Sequence, residues 1–296
     1  YSEAWGVCSQ RSEFGLMLLS PRFKFLFVHI AKTGGTSVRS SLRRLCWRDP
    51  LFVPLFFCNR LSHLCGHRIG AKFPRHAPAV AALEMMSPLF FGSLFKFAFV
   101  RNPWDRVVSS FHHFAREQSS ILKEKRIGDF HDFVRWMVED AADYRGPKPV
   151  LVAAIRRPQF EHLVDISGST IVDFVGRYEQ LADDFAAVCD RLGVKPRALP
   201  HKRQARSRRD YRSYYADTTA ELVGRLFHKD IDEFGYRFDA PPVLRISSSA
   251  GDPQAPSDSD AVERFRSIPF STGLNGEDQA AAAPAALAVD KGESAC

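Results

Sequence analysis

The sequence predicts an α/β fold: a mostly parallel sheet with helices between its strands, in a single domain. Three observations carry that expectation. Two short runs, Phe23–Ile30 and Leu94–Val100, are apolar on both faces, as strands covered on both sides are. Each is followed, after a turn, by apolar residues at helical spacing, the alternation that builds parallel sheets. The third observation is where this text stops. After about Asp239 the phenylalanine-rich sequence gives way to stretches such as "SSSAGDPQAPSDSD", which have too little apolar surface to offset the entropy of ordering them. The expected organisation is an N-terminal lead-in over 1–22, one folded domain over 23–239 and a disordered tail over 240–296.

In the first strand, Phe23, Phe25 and Phe27 lie on one face and Leu26, Val28 and Ile30 on the other. Beyond its turn, Val38, Leu42 and Leu45 share a helix face, so Thr36 or Ser37 is expected to open that helix. After the second strand, Asn102 is a good N-cap and Pro103 sits where a helix tolerates proline best. Trp104, Val107, Val108 and Phe111 then form one apolar stripe. "TIVDFVGRY" (Thr170–Tyr178) reads as a third strand, backed by a helix carrying Leu181, Phe185, Val188 and Leu192 and stopped by Gly193. Thr218 and Glu221 have the spacing of a capping box ahead of an apolar face from Leu222 to Phe234. No internal repeat of solenoid length is visible.

The chain has 296 residues and a net charge of +7. The tail carries four cations against eight acids, a net of −4, so residues 1–239 carry +11. A body that basic expects a polyanionic partner. No apolar run approaches the roughly 20 residues of a membrane span. The text starts at Tyr1, which leaves an N-terminal anchor or signal outside it open. The six cysteines show no CxxC spacing, so no zinc site is expected. Cys46, Cys58 and Cys65 are candidates for bridging in an oxidising lumen, or for free buried thiols.

The chemistry concentrates at the first turn, "FVHIAKTGGTSV" (27–38). In parallel sheets ligands collect at the carboxyl ends of strands, beside helix N-termini whose unpaired N–H groups and partial positive charge bind phosphate-like anions. Gly34 and Gly35 let the backbone close around such an anion. Lys32 adds a charge, and Thr33, Thr36 and Ser37 add hydroxyls. A plain capped surface turn would explain the threonine alone; the strand before, the helix after and the lysine within favour an anion site. The loop is not a Walker A motif, because Lys32 precedes the glycines. The second strand ends "FVRNP", with no carboxylate at the strand end for magnesium. It offers Arg101, followed by Ser109 and Ser110 in the next helix, and an arginine there suits a second anion. Two anion sites on adjacent strand ends point to a nucleotide phosphorylated at both its 5′ and 3′ positions.

These motifs resemble a known family. "FVHIAKTGGTSV" is similar to the 5′-phosphosulfate loop of sulfotransferases, and "FVRNPWDRVVSSF" to their 3′-phosphate motif, with arginine and serine eight residues apart. The likeness is nearest to the carbohydrate and heparan sulfate 2-O-sulfotransferase branch. It runs from about Phe23 to Phe238 and includes "GRYEQL" and the closing "DYRSYY…ELVGRLFHKDIDEFGYRF". It implies a P-loop-NTPase-like three-layer fold. It also implies sulfuryl transfer from 3′-phosphoadenosine 5′-phosphosulfate to a hydroxyl, in line and without a metal, with Lys32 balancing charge on the leaving bridging oxygen.

The acceptor hydroxyl needs a base, and histidine suits neutral pH. Of ten histidines, His112, His113 and His228 sit on helices with no evident role. His67, in "LCGHRIG", stands where the resemblance places a Gly-His pair carrying the base. Some relatives read His-Gly-His there, and Cys65 replaces the first of these. His63 and His76 are the reserves. The run "HKRQARSRRDYR" (His201–Arg212) reads on its own as a solvated charge patch; the resemblance makes it a loop over the nucleotide, with Arg206 and Ser207 as contacts. Its arginines equally suit an acidic glycan, whereas no nucleic-acid-binding fingerprint accompanies them. A P-loop kinase or NTPase and a non-catalytic polyanion binder stand as alternatives. The expected partner is an acidic or sulfated glycan. The compartment depends on the source, Golgi lumen or membrane in a eukaryote and cytoplasm in a bacterium. Acceptor identity and oligomeric state are not legible in this text.

Overall fold

The computed structural model of the chain describes residues 17–50, 75–195, 199 and 209–239. The tail over 240–296, and with it the expected domain limit, lies outside these.

Four strands form one sheet in the order β1 (Leu18–Ser20), β2 (Phe25–Val28), β3 (Phe95–Val100), β4 (Phe174–Arg177). β1 runs antiparallel to β2; β2, β3 and β4 are parallel, with Phe27 opposite Phe97 and Phe97 opposite Phe174. The helices are α1 (Gly35–Cys46), α2 (Ala79–Met85), α3 (Pro88–Gly92), α4 (Pro103–Glu117), α5 (Ser119–Glu124) and α6 (Phe130–Arg135), which runs on through a π turn, Trp136–Asp140. They continue with α7 (Pro149–Arg156), α8 (Leu181–Arg191), α9 (Asp217–Leu226) and α10 (His228–Phe234).

The two-faced strands divide the core into the two halves their alternation implies. Phe25, Phe27, Phe97 and Phe99 lie on one face, packed with Val38, Leu42 and Cys46 of α1 and Phe185, Val188 and Cys189 of α8. The Phe27 and Phe97 rings stack at 5.2 Å. Leu26, Val28, Ile30, Ala98 and Val100 lie on the other face, against the larger helical layer that includes α4 and α6. Gly176 makes room for this packing: a Cβ there would stand 2.7 Å from Cδ1 of Phe99.

Several expectations are corrected. Helix α1 begins at Gly35 behind Gly34, ahead of Thr36 and Ser37, because a left-handed Gly34 turns the chain sooner. The first half of Thr170–Tyr178 is not strand; Thr170 forms only an isolated bridge to Val164. The N-terminus of α9 does not use Thr218. Thr219 reaches back instead, its Oγ1 accepting from the Ala216 N–H at 3.1 Å. The lead-in hides β1, anchored by Asp49, which accepts from Ser20 Oγ at 2.6 Å and from the Arg22 N–H at 2.9 Å. Cys46 is a free, fully buried thiol whose pKa burial pushes up to about 12. Cys58 and Cys65 lie outside the described residues. Among the described residues, no helix is long and apolar enough to cross a membrane.

Candidate active site

The carboxyl ends of β2, β3 and β4 are neighbours, and the loops leaving them meet. After β2, the buried His29, Ile30 and Ala31 lead into Lys32, whose φ of 69° is left-handed, as is the 79° of Gly34. For a lysine that backbone costs about 1 kcal/mol, and such strain collects at ligand-holding turns. Left-handed residues flanking Thr33 give the alternation that lines successive N–H groups along one concave side. Helix α1 then starts with no side-chain cap and no acidic residue in its first turn, so its N-terminal charge is left for a ligand.

The glycines are required by what lies behind them. A Cβ on Gly34 would stand 2.8 Å from Cδ2 of Leu181 and 3.0 Å from the Tyr178 ring. One on Gly35 would fall well under 3.0 Å from Cδ2 and Nε2 of His29. Of the hydroxyls, Thr33 is fully buried and donates to the Ile30 carbonyl at 3.1 Å, so its side chain shapes the loop. Thr36 is exposed and Ser37 buried in the first turn.

Arg101 follows β3 and ties the strand ends together. Its Nε donates to Asp105 Oδ2 at 2.7 Å and its Nη1 to the Lys32 carbonyl at 3.1 Å, while Tyr178, just past β4, stacks on the guanidinium at 3.9 Å. Asp105, in the first turn of α4, is therefore paired with an arginine. Asn102 caps α4 through its Oδ1, and its own N–H donates to Glu179 at 2.7 Å. Burial raises the Glu179 pKa, against the pull of the Asn102 N–H and Arg101. On α4, Ser110 turns its hydroxyl inward to the Arg106 carbonyl, whereas Ser109 is half-buried, so the serine eight residues after Arg101 is the one left on the open side.

A second arginine holds the site from below. Arg106, 1% exposed, donates to the carbonyls of Ala31, Ala154 and Arg157 and faces Asp230 at 4.0 Å. Asp230 in turn accepts from the backbone and side chain of Gln159, whose amide pairs both ways with the Arg101 backbone at 2.8 Å. One buried network thus links the loop after β2, the end of β3 and the C-terminal helices.

The sequence-derived residues Lys32, Thr33, Gly34, Gly35, Thr36, Ser37, Arg101 and Ser109 fall on this loop, strand end and helix. His67, Arg206 and Ser207 lie outside the described residues, as does His63. Sequence reasoning missed Arg106, Gln159, Tyr178, Glu179 and Asp230. Tyr178 and Glu179 stand in the "GRYEQL" stretch, a signal for them; a lone arginine five residues past Arg101 gives none.

A mostly parallel α/β sheet with an uncapped helix behind a glycine loop is the class defined by this arrangement. The sequence pattern of the sulfotransferase family matches residues 16–237, three quarters of the chain, and the chain belongs to that family. It is a sulfotransferase of P-loop-like fold, and the family implies 3′-phosphoadenosine 5′-phosphosulfate as co-substrate and a hydroxyl-bearing acceptor. An uncharacterized protein of Archaeoglobus fulgidus is 27% identical over 119 residues, 40% of this chain and 82% of that one. No solved structure matches the chain.

Proposed function

We propose that this chain transfers the sulfuryl group to a carbohydrate hydroxyl, with an acidic or already sulfated glycan as acceptor. The donor side of this reading is supported most by the loop after β2, two left-handed residues and an uncapped helix N-terminus tied by its Lys32 carbonyl to Arg101, and the acceptor side by the net charge of +11 on residues 1–239. In this reading Lys32, Thr33, Gly34, Gly35, Thr36 and Ser37 hold the 5′-phosphosulfate, Thr33 through its backbone. Arg101 and Ser109 hold the 3′-phosphate, with Asp105 orienting the arginine. Arg206 and Ser207 cover the nucleotide. The acceptor oxygen attacks sulfur in line, the sulfur–oxygen bond to the 5′-phosphate breaks, and His67 takes the hydroxyl proton. Lys32 balances the charge left on the bridging oxygen.

The test is a thermal-shift titration. Adenosine 3′,5′-bisphosphate without metal should raise the melting temperature far more than AMP or ATP, and Arg101→Ala should erase that preference while the protein stays folded. Equal stabilisation by ATP with magnesium would turn the reading to an NTPase. On the acceptor side, activity should fall steeply between low and moderate salt, because exposed charge pairs are screened.

A further inference from the structure

Three imidazoles lie beneath the anion loop: His29 just after β2, His76 just before α2, and His162 in the turn after α7. His29 is 4% exposed, His162 fully buried and His76 half-buried. The His29 ring fills the space under Gly35, the first residue of α1, and stands 4.8 Å from the His76 ring. His76 Nδ1 is 2.8 Å from the His29 carbonyl. A carbonyl only accepts, so that nitrogen carries the proton and Nε2 holds the lone pair. Among the described residues, His29 Nδ1 has no hydrogen-bond partner, whereas His162 bonds the Ala77 backbone. No group of three or more His, Cys, Asp or Glu among these residues is placed to hold a metal ion.

The charges around these rings are almost all positive. Arg39 acts on them from α1, Arg75 from the residue before His76, Arg106 from α4 and Arg157 from the end of α7. The nearest buried carboxylate on this network, Asp230, is taken up by Arg106, Gln159 and Phe160. The sequence in this part of the chain is itself basic. From Phe14 to Leu83 it has eleven lysines and arginines against one acid, Asp49, and Asp49 is bonded to Ser20 and Arg22. Burial and these cations push His76 down to about 4 and His162 to about 3, so the rings are neutral at neutral pH. The described charges acting on the rings are thus mostly cationic.

We propose that His76 belongs to the donor site: when the loop takes a phosphorylated nucleotide, His76 picks up a proton at Nε2 and becomes an imidazolium that balances the anion. The magnitude is adequate. A unit charge at ~7 Å in an effective dielectric of ~20 moves an imidazole by roughly two pKa units, and a phosphosulfate brings two charges. That lifts a ring starting near 4 into the neutral range. Nδ1 stays on the His29 carbonyl throughout, so the proton has only Nε2 to go to. The role is separate from that of His67 and rests on the donor reading above.

The experiment is calorimetry of adenosine 3′,5′-bisphosphate binding at pH 7 in two buffers of different ionisation enthalpy, with wild type and His76→Asn. Asparagine keeps a donor for the His29 carbonyl but cannot titrate. Wild type should take up about half to one proton more per nucleotide bound than the variant, a difference that cancels protons belonging to the ligand. Histidine-labelled nitrogen NMR on wild type is the second measurement: one Nε2 resonance should move from the unprotonated to the protonated range on saturation. Nucleotide binding with no difference in uptake and no such resonance would overturn the proposal and leave the sulfotransferase reading intact. No nucleotide binding at all would sink both.

Discussion

Replacing Gly35 by alanine tests whether the loop and the rings beneath it are packed as a unit. The added Cβ would fall well under 3.0 Å from Cδ2 and Nε2 of His29 and 3.1 Å from its Cγ, where ordinary contact begins near 3.4 Å. The ring cannot yield easily, because it is buried and held between Phe27, stacked at 5.5 Å, and His76, at 4.8 Å. Something must move by about an ångström, and overpacking of this kind costs about 1–3 kcal/mol. Alanine recovers up to about 1 kcal/mol of helix preference over glycine, leaving a net loss of about 1–2 kcal/mol. For a domain of this size that lowers the melting temperature by roughly 2–8 °C. Shifting the first N–H groups of α1 also spoils at least one charge-assisted hydrogen bond, so affinity for adenosine 3′,5′-bisphosphate should drop by roughly ten- to a hundredfold. Gly92→Ala is the control, since a Cβ there meets nothing within 4 Å. Thermal unfolding and nucleotide titration of both variants give the answer. If Gly35→Ala behaves like Gly92→Ala, the ring does not support the loop and the packing argument is wrong.

Arg106→Met should destabilise the fold by about 3–5 kcal/mol in denaturant unfolding, because it strands the buried Asp230, and adding Asp230→Asn, which removes the stranded charge and keeps an acceptor oxygen for the Gln159 and Phe160 N–H groups, should recover part of that loss. Stability should be fully present above pH 6.5 and fall as pH drops toward 4 and then 3. The unfolded chain protonates its histidines near 6.5, whereas folded His76 and His162 wait until about 4 and about 3; His76→Asn should flatten the upper part of that decline. A thiol reagent at pH 8 should leave Cys46 and Cys189 unlabelled until the protein unfolds, as mass spectrometry of the digested protein would reveal, since both thiols are buried and their pKa values raised.

The sheet was legible because two-sided burial leaves an unmistakable trace. Alternate Phe and aliphatic residues along β2 and β3 can only be placed if both faces are covered, and the two halves of the core follow from that alternation. Asn102 and Pro103 marked the start of α4 because capping chemistry is local to four residues. The short helices α2, α3, α5 and α6 carry too few turns to show a period, and the three-residue β1 is too short to show an alternation. Within the site, Lys32, Gly34 and Gly35 stand out because each residue type is costly or unusual where it sits. Arg106 and Asp230 could not be found in this way. An arginine on a helix reads as surface until the tertiary fold brings Ala31, Ala154, Arg157 and Asp230 around it, and nothing in the spacing announces contacts 48 to 124 residues away.

The most direct test of the central claim follows the transferred group itself. Purified protein, phosphoadenosine phosphosulfate labelled in its sulfuryl group and a panel of acidic glycans are incubated with a chelator. Label in glycan and adenosine 3′,5′-bisphosphate should appear in equal amounts. The transfer should be lost in Lys32→Ala and should fall by about two to four orders of magnitude in His67→Ala, the scale of general-base catalysis. Nucleotide affinity should be weakened in the lysine variant only. Label that stays with the nucleotide for every acceptor, or turnover that survives both substitutions, would contradict the account.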